Sequence, residues 1–267
     1  FIIINIILYY YIRKNMSELT QNFSWENATE KYNIDTSKKH LPIFYDFYDL
    51  SKDFLNIYEP SDDTFLLIDA IEMELDYLNT HSYFNNFEKI TSIELGCGNG
   101  LVSCCFLSKL KNLNIKKEIN HYCIDINKDA INLTKNILSK YNFNNNTIVK
   151  ESDLFNNIDK NQKFDIIIFN PPYVTTGREE YTRALKERDI YAAWAGGKKG
   201  SETINKFVKE LNERINNNTI IFLLLSKEND YNLIINNIKS KYNLNFELLM
   251  KKQFKNEKLA VFKFFNN

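Results

Sequence analysis

Asn170-Pro171-Pro172-Tyr173 is a stretch in which every residue has a chemical use. It follows a fully apolar run, Phe164 to Phe169, that reads as a buried strand. Two prolines stop the strand and fix the backbone, so the Pro171 carbonyl loses its free choice of direction. A rigid turn explains the prolines but not the amide and the aromatic ring that flank them. A planar NH2 group explains all four residues. It offers two hydrogens, one to the Asn170 side-chain oxygen and one to the Pro171 carbonyl. Tyr173 can stack on its flat face, worth about 0.5–1.5 kcal/mol beyond area burial. Taken alone, the motif says "planar nitrogen" and nothing narrower.

A second group of residues suits a nucleoside. Glu94-Leu95-Gly96-Cys97-Gly98-Asn99-Gly100 follows a short strand and opens a helical pattern. Glycines there let the chain turn sharply and let a ligand lie on bare backbone. A plain tight turn explains the glycines nearly as well, so the context decides. Asp125 ends the next strand, where a carboxylate can accept both hydroxyls of a ribose. The full dinucleotide fingerprint is missing, which favours an adenosine without phosphates. Asp153-Leu154 follows the third strand; the Asp can accept from an adenine amino group and the Leu can pack on the ring. A loop Asp in a turn is an equal reading of that pair.

These residues need a frame, and the hydropathy pattern supplies one. Pro60 and Ser61 open a helix through Leu67, Ile71, Leu75 and Leu78, to about Asn79. Strands are expected at Ile90–Leu95, His121–Ile126, Thr147–Lys150, Phe164–Phe169 and Ile220–Leu225. Helices fall between them: Leu101–Leu110, Ala130 to Tyr141, and Ile204 to Ile215. A helix over Tyr231–Lys241 and two strand-like runs, Asn245–Leu249 and Leu259–Phe265, close the chain. Alternation of this kind predicts an α/β fold with a mostly parallel sheet covered on both faces and an antiparallel last strand.

The 267 residues suit one large domain with an arm, and 44% hydrophobic residues supply its core. Lys+Arg and Asp+Glu both number 34, for a net charge of +0, which does not suit stable binding of long nucleic acid. Cys97, Cys104, Cys105 and Cys123 form no CxxC pair, so they read as buried reduced thiols and no metal site is expected. Residues 1–50 read as a poorly ordered arm with a sticky patch at Phe44 to Tyr48, and residues 51–267 as the domain. Phe1 to Ile12 is apolar but too short to span a bilayer. Residues 1–15 are expected to be untranslated upstream sequence, with Met16 as the start; a membrane-surface anchor is the rival reading.

Four segments occur in the order found in the HemK-like methyltransferases: Glu59-Pro60-Ser61-Asp62-Asp63-Thr64, the Glu94 to Gly100 loop, Asn170 to Tyr173, and Ala192-Ala193-Trp194-Ala195-Gly196-Gly197. The chain most resembles the eukaryotic branch that methylates the glutamine of the Gly-Gly-Gln motif in the class I translation release factor. The resemblance covers residues 51–267. It implies a seven-stranded class I (Rossmann-like) methyltransferase fold and S-adenosyl-L-methionine as cofactor. It implies that Thr64, Glu94, Gly96, Asp125, Asp153, Leu154 and Asn170 line the cofactor site, with Gly98 in the same loop. A small zinc-binding activator subunit is implied as heterodimer partner on the edge strand near Thr147 to Lys150, and a cytoplasmic or also nuclear setting. The charged stretch Thr175 to Tyr191 departs from the pattern by its length, and residues 1–50 have no clear counterpart. A DNA N6-adenine methyltransferase and a protein lysine methyltransferase are the alternatives; the neutral charge and the lack of a separate basic domain weigh against the first.

Overall fold

The computed structural model describes residues 24–32, 48–49, 52–255 and 257–266. The expectations for Phe1 to Ile12, Met16 and Phe44 to Phe47 lie outside them. The chain builds a seven-stranded sheet in the order β3-β2-β1-β4-β5-β7-β6. The strands are β1 (Lys89–Leu95), β2 (Glu118–Asp125), β3 (Thr147–Glu151), β4 (Phe164–Phe169), β5 (Ile215–Ser226), β6 (Asn245–Gln253) and β7 (Lys258–Phe265). Only β7 runs against its neighbours, pairing antiparallel with both β5 and β6. The expected fold class and the antiparallel final strand are both found.

Burial on two faces explains why the central strands are apolar throughout. Ile220, Phe222 and Leu224 of β5 face one core, which also holds α1 (Asp62–Thr80), α2 (Leu101–Asn112) and α3 (Lys128–Lys140). Ile221, Leu223 and Leu225 face the other, with α5 (Glu202–Glu210) and α6 (Tyr231–Tyr242). Between β4 and α5 lies α4 (Arg178–Glu187), a helix where a charged stretch of no assigned structure was expected. Only Tyr181 and Ala184 of α4 are buried, too few contacts to leave a clear apolar period in the sequence. The helix expected to reach Ile215 stops earlier: α5 ends at Glu210, a 3-10 turn spans Leu211–Glu213, and Ile215 begins β5.

Residues 24–32, expected within a loose arm, pack on the sheet. The Lys31 and Tyr32 N–H groups donate to the Leu248 and Leu249 carbonyls of β6 at 3.0 and 2.9 Å. They cover part of an edge that would otherwise offer free backbone groups. Trp25 is buried edge-on against Tyr231, with ring centroids 5.5 Å apart. Beneath the arm, the fully buried Glu74 of α1 receives Lys31 at 2.8 Å, Lys263 at 2.7 Å and the Tyr32 hydroxyl at 2.7 Å. Lys263 also pairs with Glu247 at 2.5 Å, so two lysines balance two carboxylates. Tyr48 is buried too, and its hydroxyl donates to the Asn99 carbonyl at 3.2 Å.

Candidate active site

Parallel strands end on one side of the sheet, and there the candidate residues meet. One cavity is lined from the turn after each of four adjacent strands: Asp153 and Leu154 after β3, Asp125 at the end of β2, Glu94, Gly96 and Gly98 around the end of β1, and Asn170 after β4. Thr64, from the first turn of α1, completes the set. All eight residues expected at a cofactor site therefore share one cavity, in the crevice where open α/β sheets bind ligands. Pro172 also lines it, whereas Pro171 is buried in the turn and Tyr173 stands half-buried beside it.

The glycine loop is held open by hydrogen bonds. Gly96, Gly98 and Gly100 adopt φ of +67°, +51° and +81°, which glycine tolerates best. A Cβ on Gly100 would sit 3.0 Å from the Thr134 hydroxyl oxygen of α3. Asp125 accepts from the Gly98 N–H at 2.9 Å and the Asn127 N–H at 2.8 Å, so it joins the loop to the end of β2. Burial raises the Asp125 carboxyl pKa above its ordinary value, and these backbone donors oppose the rise. Each carboxylate oxygen keeps further lone-pair capacity for a ligand. Asp153 is engaged as well: Lys206 of α5 donates to its Oδ2 at 2.6 Å.

Glu94 lies deeper, almost without exposure. Burial pushes its carboxyl up to about 8, while the Ser103 side chain and N–H pull the other way. Ser103 is in the first turn of α2, where a helix N-terminus favours an anion.

At the far end of the cavity, Asn170 is oriented by a residue that carries no role in the sequence reading, Asp63. Asn170 Nδ2 donates to Asp63 Oδ2 at 2.9 Å. A carboxylate only accepts, so this bond fixes which way the amide faces. Asn170 Oδ1 is then left buried with no hydrogen-bond partner among the described residues. A buried acceptor without a donor costs about 1–3 kcal/mol. It is the kind of group a ligand N–H would satisfy. Asp63 stood in the quoted Glu59 to Thr64 segment, but its partner is 107 residues away, so no local signal marks it.

Tyr173 is anchored on both sides. Its side chain hydrogen-bonds the Glu257 carboxylate, which leaves the ring rather than the hydroxyl free for contact, and burial raises the hydroxyl well above its ordinary value. Its carbonyl accepts from the buried Asn229 Nδ2 at 2.8 Å, and Asn229 also donates to the Lys199 and Gly200 carbonyls. Val174 bridges Ala195, with Val174 N–H to Trp194 carbonyl at 2.9 Å and Gly196 N–H to Val174 carbonyl at 2.8 Å. A Cβ on Gly196 would lie 2.7 Å from the Pro172 carbonyl oxygen. The Ala192 to Gly197 segment is thus a strut against the Asn170 to Tyr173 turn. Asn229 and Glu257 carry no sequence signal for this role.

The segment between motif and strut covers part of the cavity. Ala184 and Leu185 of α4 line it, as do Asp189 and Ile190. Asn56 ties the opposite wall to this roof: its Oδ1 accepts from the Ile190 N–H at 3.3 Å and its Nδ2 donates to Asp129 at 2.5 Å. The combined geometry offers a backbone cradle, two carboxylates near it, and a buried amide oxygen whose amide is fixed by Asp63.

Comparison with known proteins agrees with this geometry. Residues 75–193 match the family model for the methyltransferase small domain. The eRF1 methyltransferase catalytic subunit mtq2 of Schizosaccharomyces pombe is 30% identical over 184 residues, covering 67% of this chain and 76% of that protein. Methyltransferase HEMK2 of Homo sapiens is 30% identical over 213 residues, covering 79% of this chain and 90% of that protein. A chain of the E. cuniculi Mtq2-Trm112 complex, described as responsible for methylation of the eRF1 translation termination factor, shares the fold with a TM-score of 0.54. That match has 20% identity and covers 79% of this chain and 99% of the other. Identity sustained along most of the length of two such relatives, together with the seven-stranded sheet and the Asn170 to Tyr173 turn, means that this chain is a methyltransferase of the HemK-like family.

Proposed function

We propose that the chain transfers a methyl group from S-adenosylmethionine to the side-chain nitrogen of the glutamine in the Gly-Gly-Gln motif of a class I translation release factor. The buried Oδ1 of Asn170, without a partner among the described residues, carries this reading. An amide NH2 supplies the missing donor. A carboxylate would put an acceptor against an acceptor, at about 1–3 kcal/mol for each unsatisfied group.

The residues fit such a cofactor. Asp125 suits the ribose hydroxyls, Asp153 and Leu154 the adenine, and the Gly96 to Gly98 backbone the body of the molecule. Its sulfonium supplies an activated methyl group. The protein's own task is then alignment, which can contribute about 7–11 kcal/mol of barrier reduction. Asn170 Oδ1 and the Pro171 carbonyl each accept one N–H of the glutamine amide. Holding both hydrogens turns the nitrogen lone pair towards the methyl and stabilises the positive charge that grows on nitrogen. The amide can lose its proton after transfer, so no strong base is required.

The partner reading follows from the other edge of the sheet. Among the described residues β3 is an edge strand, and Ile148 on it is 41% exposed. An open edge with an apolar side chain is a template for strand addition or docking. We place a small zinc-binding activator there, the counterpart of the Trm112 chain in the complex named above. A release-factor substrate would place the chain in the cytoplasm. Among the described residues, no helix is long and apolar enough to cross a membrane.

The test is incubation of the chain, with its activator, in labelled S-adenosylmethionine and recombinant release factor. Label should enter the wild-type factor and not one whose motif glutamine is substituted. Label in the substituted factor, or in an adenine-containing oligonucleotide instead, would overturn the glutamine assignment.

A further inference from the structure

A chain of buried polar side chains runs behind Glu94, and the residue assignments above leave it without a role. Ser92 Oγ is 2.8 Å from His121 Nδ1, and His121 Nε2 is 2.7 Å from Ser103 Oγ. Ser103 Oγ in turn donates to Glu94 Oε2, and the Ser103 N–H hydrogen-bonds the same carboxylate. Cys123 Sγ lies 3.2 Å from the same hydroxyl. Ser92, Ser103, His121 and Cys123 are all fully buried. Four polar side chains in a dry interior are costly unless they are mutually satisfied.

With Glu94 as the carboxylate, the polarity of this chain follows. A hydroxyl has one hydrogen to give, and Ser103 gives it to Glu94. Ser103 must then accept from His121 Nε2–H, which leaves Nδ1 as an acceptor for the Ser92 hydroxyl. Burial pushes His121 down to about 3, so the ring stays neutral, with one nitrogen to donate and one to accept. Every donor in the relay points towards Glu94. Such an arrangement favours the charged carboxylate over the acid, because the acid would bring a second hydrogen into the Ser103 contact.

The position of Glu94 selects what it would meet. Across the sheet the order β3-β2-β1-β4 sets Asp153, Asp125, Glu94 and Asn170 side by side. If Asp153 takes adenine, Asp125 the ribose and Asn170 the nitrogen that receives the methyl, Glu94 stands beside the methionine portion, which carries an ammonium. We propose that Ser103, backed by His121 and Ser92, is a positioning residue that holds the Glu94 carboxylate, as an anion, for the ammonium group of the cofactor's amino-acid portion. This rests on the S-adenosylmethionine reading above.

The surroundings of Glu94 make the relay necessary. Burial raises its carboxyl, and Asp125 at the end of β2 adds to the rise. The Glu94 charge in turn acts on Cys97 of the glycine loop, Cys105 of α2, Cys123 of β2 and Tyr48 of the arm, and burial pushes each of them up, so they remain neutral. Asp63 is another carboxylate of the same cavity wall. Ser103 is the group that offsets burial at Glu94.

The experiment is calorimetric titration of the full chain with S-adenosylmethionine and with 5′-methylthioadenosine, which lacks the amino-acid portion, between pH 6.5 and 9. Ser103→Ala should weaken S-adenosylmethionine by about tenfold at pH 7, as the loss of a hydrogen bond to a charged group predicts. It should leave 5′-methylthioadenosine within about twofold, since that ligand has no ammonium to meet Glu94. The sign follows from Glu94: losing Ser103 raises its pKa further, so the deficit is full below the wild-type value near 8 and shrinks above it. Taking the ratio of variant to wild type cancels the ligand's own ammonium titration, near 8. In a Glu94→Gln background, Ser103→Ala should produce no selective loss. Should Ser103→Ala fail to fold, His121→Leu removes the next link and should show the same pH-dependent preference at smaller size. Equal loss of both ligands, or a selective loss that does not change with pH, would overturn the proposal. A wild-type chain that binds neither ligand would instead defeat the cofactor reading on which it rests.

Discussion

Asp63 is the sharpest place to perturb the site, because one bond sets the direction of the Asn170 amide. The Asp63 carboxylate is buried and accepts from Asn170 Nδ2 at 2.9 Å; its other contacts, to the Thr64 and Tyr58 hydroxyls, are long at 3.4 and 3.5 Å. Among the described residues, Asn170 Oδ1 has no donor to hold it in place. Without Asp63 the amide can turn over, presenting two N–H groups to a substrate NH2 that has only hydrogens to offer. A hydrogen bond to a charged group contributes about 1.5–3 kcal/mol, so Asp63→Ala should lower kcat roughly ten- to hundredfold. Asp63→Asn can still accept through its side-chain oxygen, as a neutral partner of roughly half the strength, and should lose less. Single-turnover methyl transfer and calorimetric cofactor affinity should be measured together. The expected pattern is a fall in the rate with cofactor affinity within about threefold of wild type. A rate within twofold of wild type for Asp63→Ala would refute the positioning argument.

Other perturbations follow from the same contacts. Gly200→Ala would place a Cβ 1.9 Å from the Tyr173 carbonyl oxygen, at φ +62°, so the Tyr173 turn must shift; turnover should drop by more than tenfold, and wild-type turnover with an unchanged melting temperature would count against the strut. Lys31→Ala leaves Glu74 and Glu247 to share Lys263, and should cost somewhat less than the roughly 3–5 kcal/mol of breaking a fully buried pair, because Lys31 is 19% exposed; urea unfolding measures it. Burial pushes Glu247 up, but Lys263 and Lys31 bring it below its ordinary value. Its contribution is thus complete above the unfolded value near 4.3 and disappears as pH falls through the lower folded one, so Trp25 fluorescence should report release of the arm only below about pH 4. Ile148→Glu puts a charge on the open edge of β3; it should abolish co-purification with the activator while cofactor affinity of the free chain stays unchanged, and intact co-purification would move the partner elsewhere.

The parts of this molecule that could be read in the sequence are those whose signal is local. β4 was expected at Phe164–Phe169 and is found there, because a strand buried on both faces is apolar at every position. Ser61 is found at the head of α1 for an equally local reason, and the Thr64 hydroxyl accepts from its N–H at 3.3 Å. What stayed hidden depends on distant partners. Asp63 and Asn229 look like ordinary polar residues until the fold brings Asn170 and Tyr173 to them. Residues 24–32 look like a polar arm because their anchors, Leu248, Leu249 and Glu74, lie far along the chain. α4 was hidden for the opposite reason: it covers a cavity rather than a core, so few of its side chains had to be apolar.

The same distinction explains how the charged segment Thr175 to Tyr191 can sit beside a site that must be accurate. Asn170 to Tyr173 and Ala192 to Gly197 are separate strings in the sequence but one mechanical unit in the fold. Val174 bridges Ala195, the Thr176 N–H donates to the Gly197 carbonyl at 3.1 Å, and Gly196 and Gly200 bring their backbones against Pro172 and Tyr173. The residues between these pinned ends, with α4 and the Ile190–Ala193 turn, form an excursion from a closed base. Lengthening a flexible excursion costs only about 0.6 kcal/mol per doubling, and it exerts no leverage on a base held by its own hydrogen bonds. The prolines give the turn rigidity, and the glycine strut with Asn229 gives it direction. That excursion is then free to vary the roof of the cavity, and with it the shape of what can approach Asn170, without displacing the atoms that would align the methyl transfer.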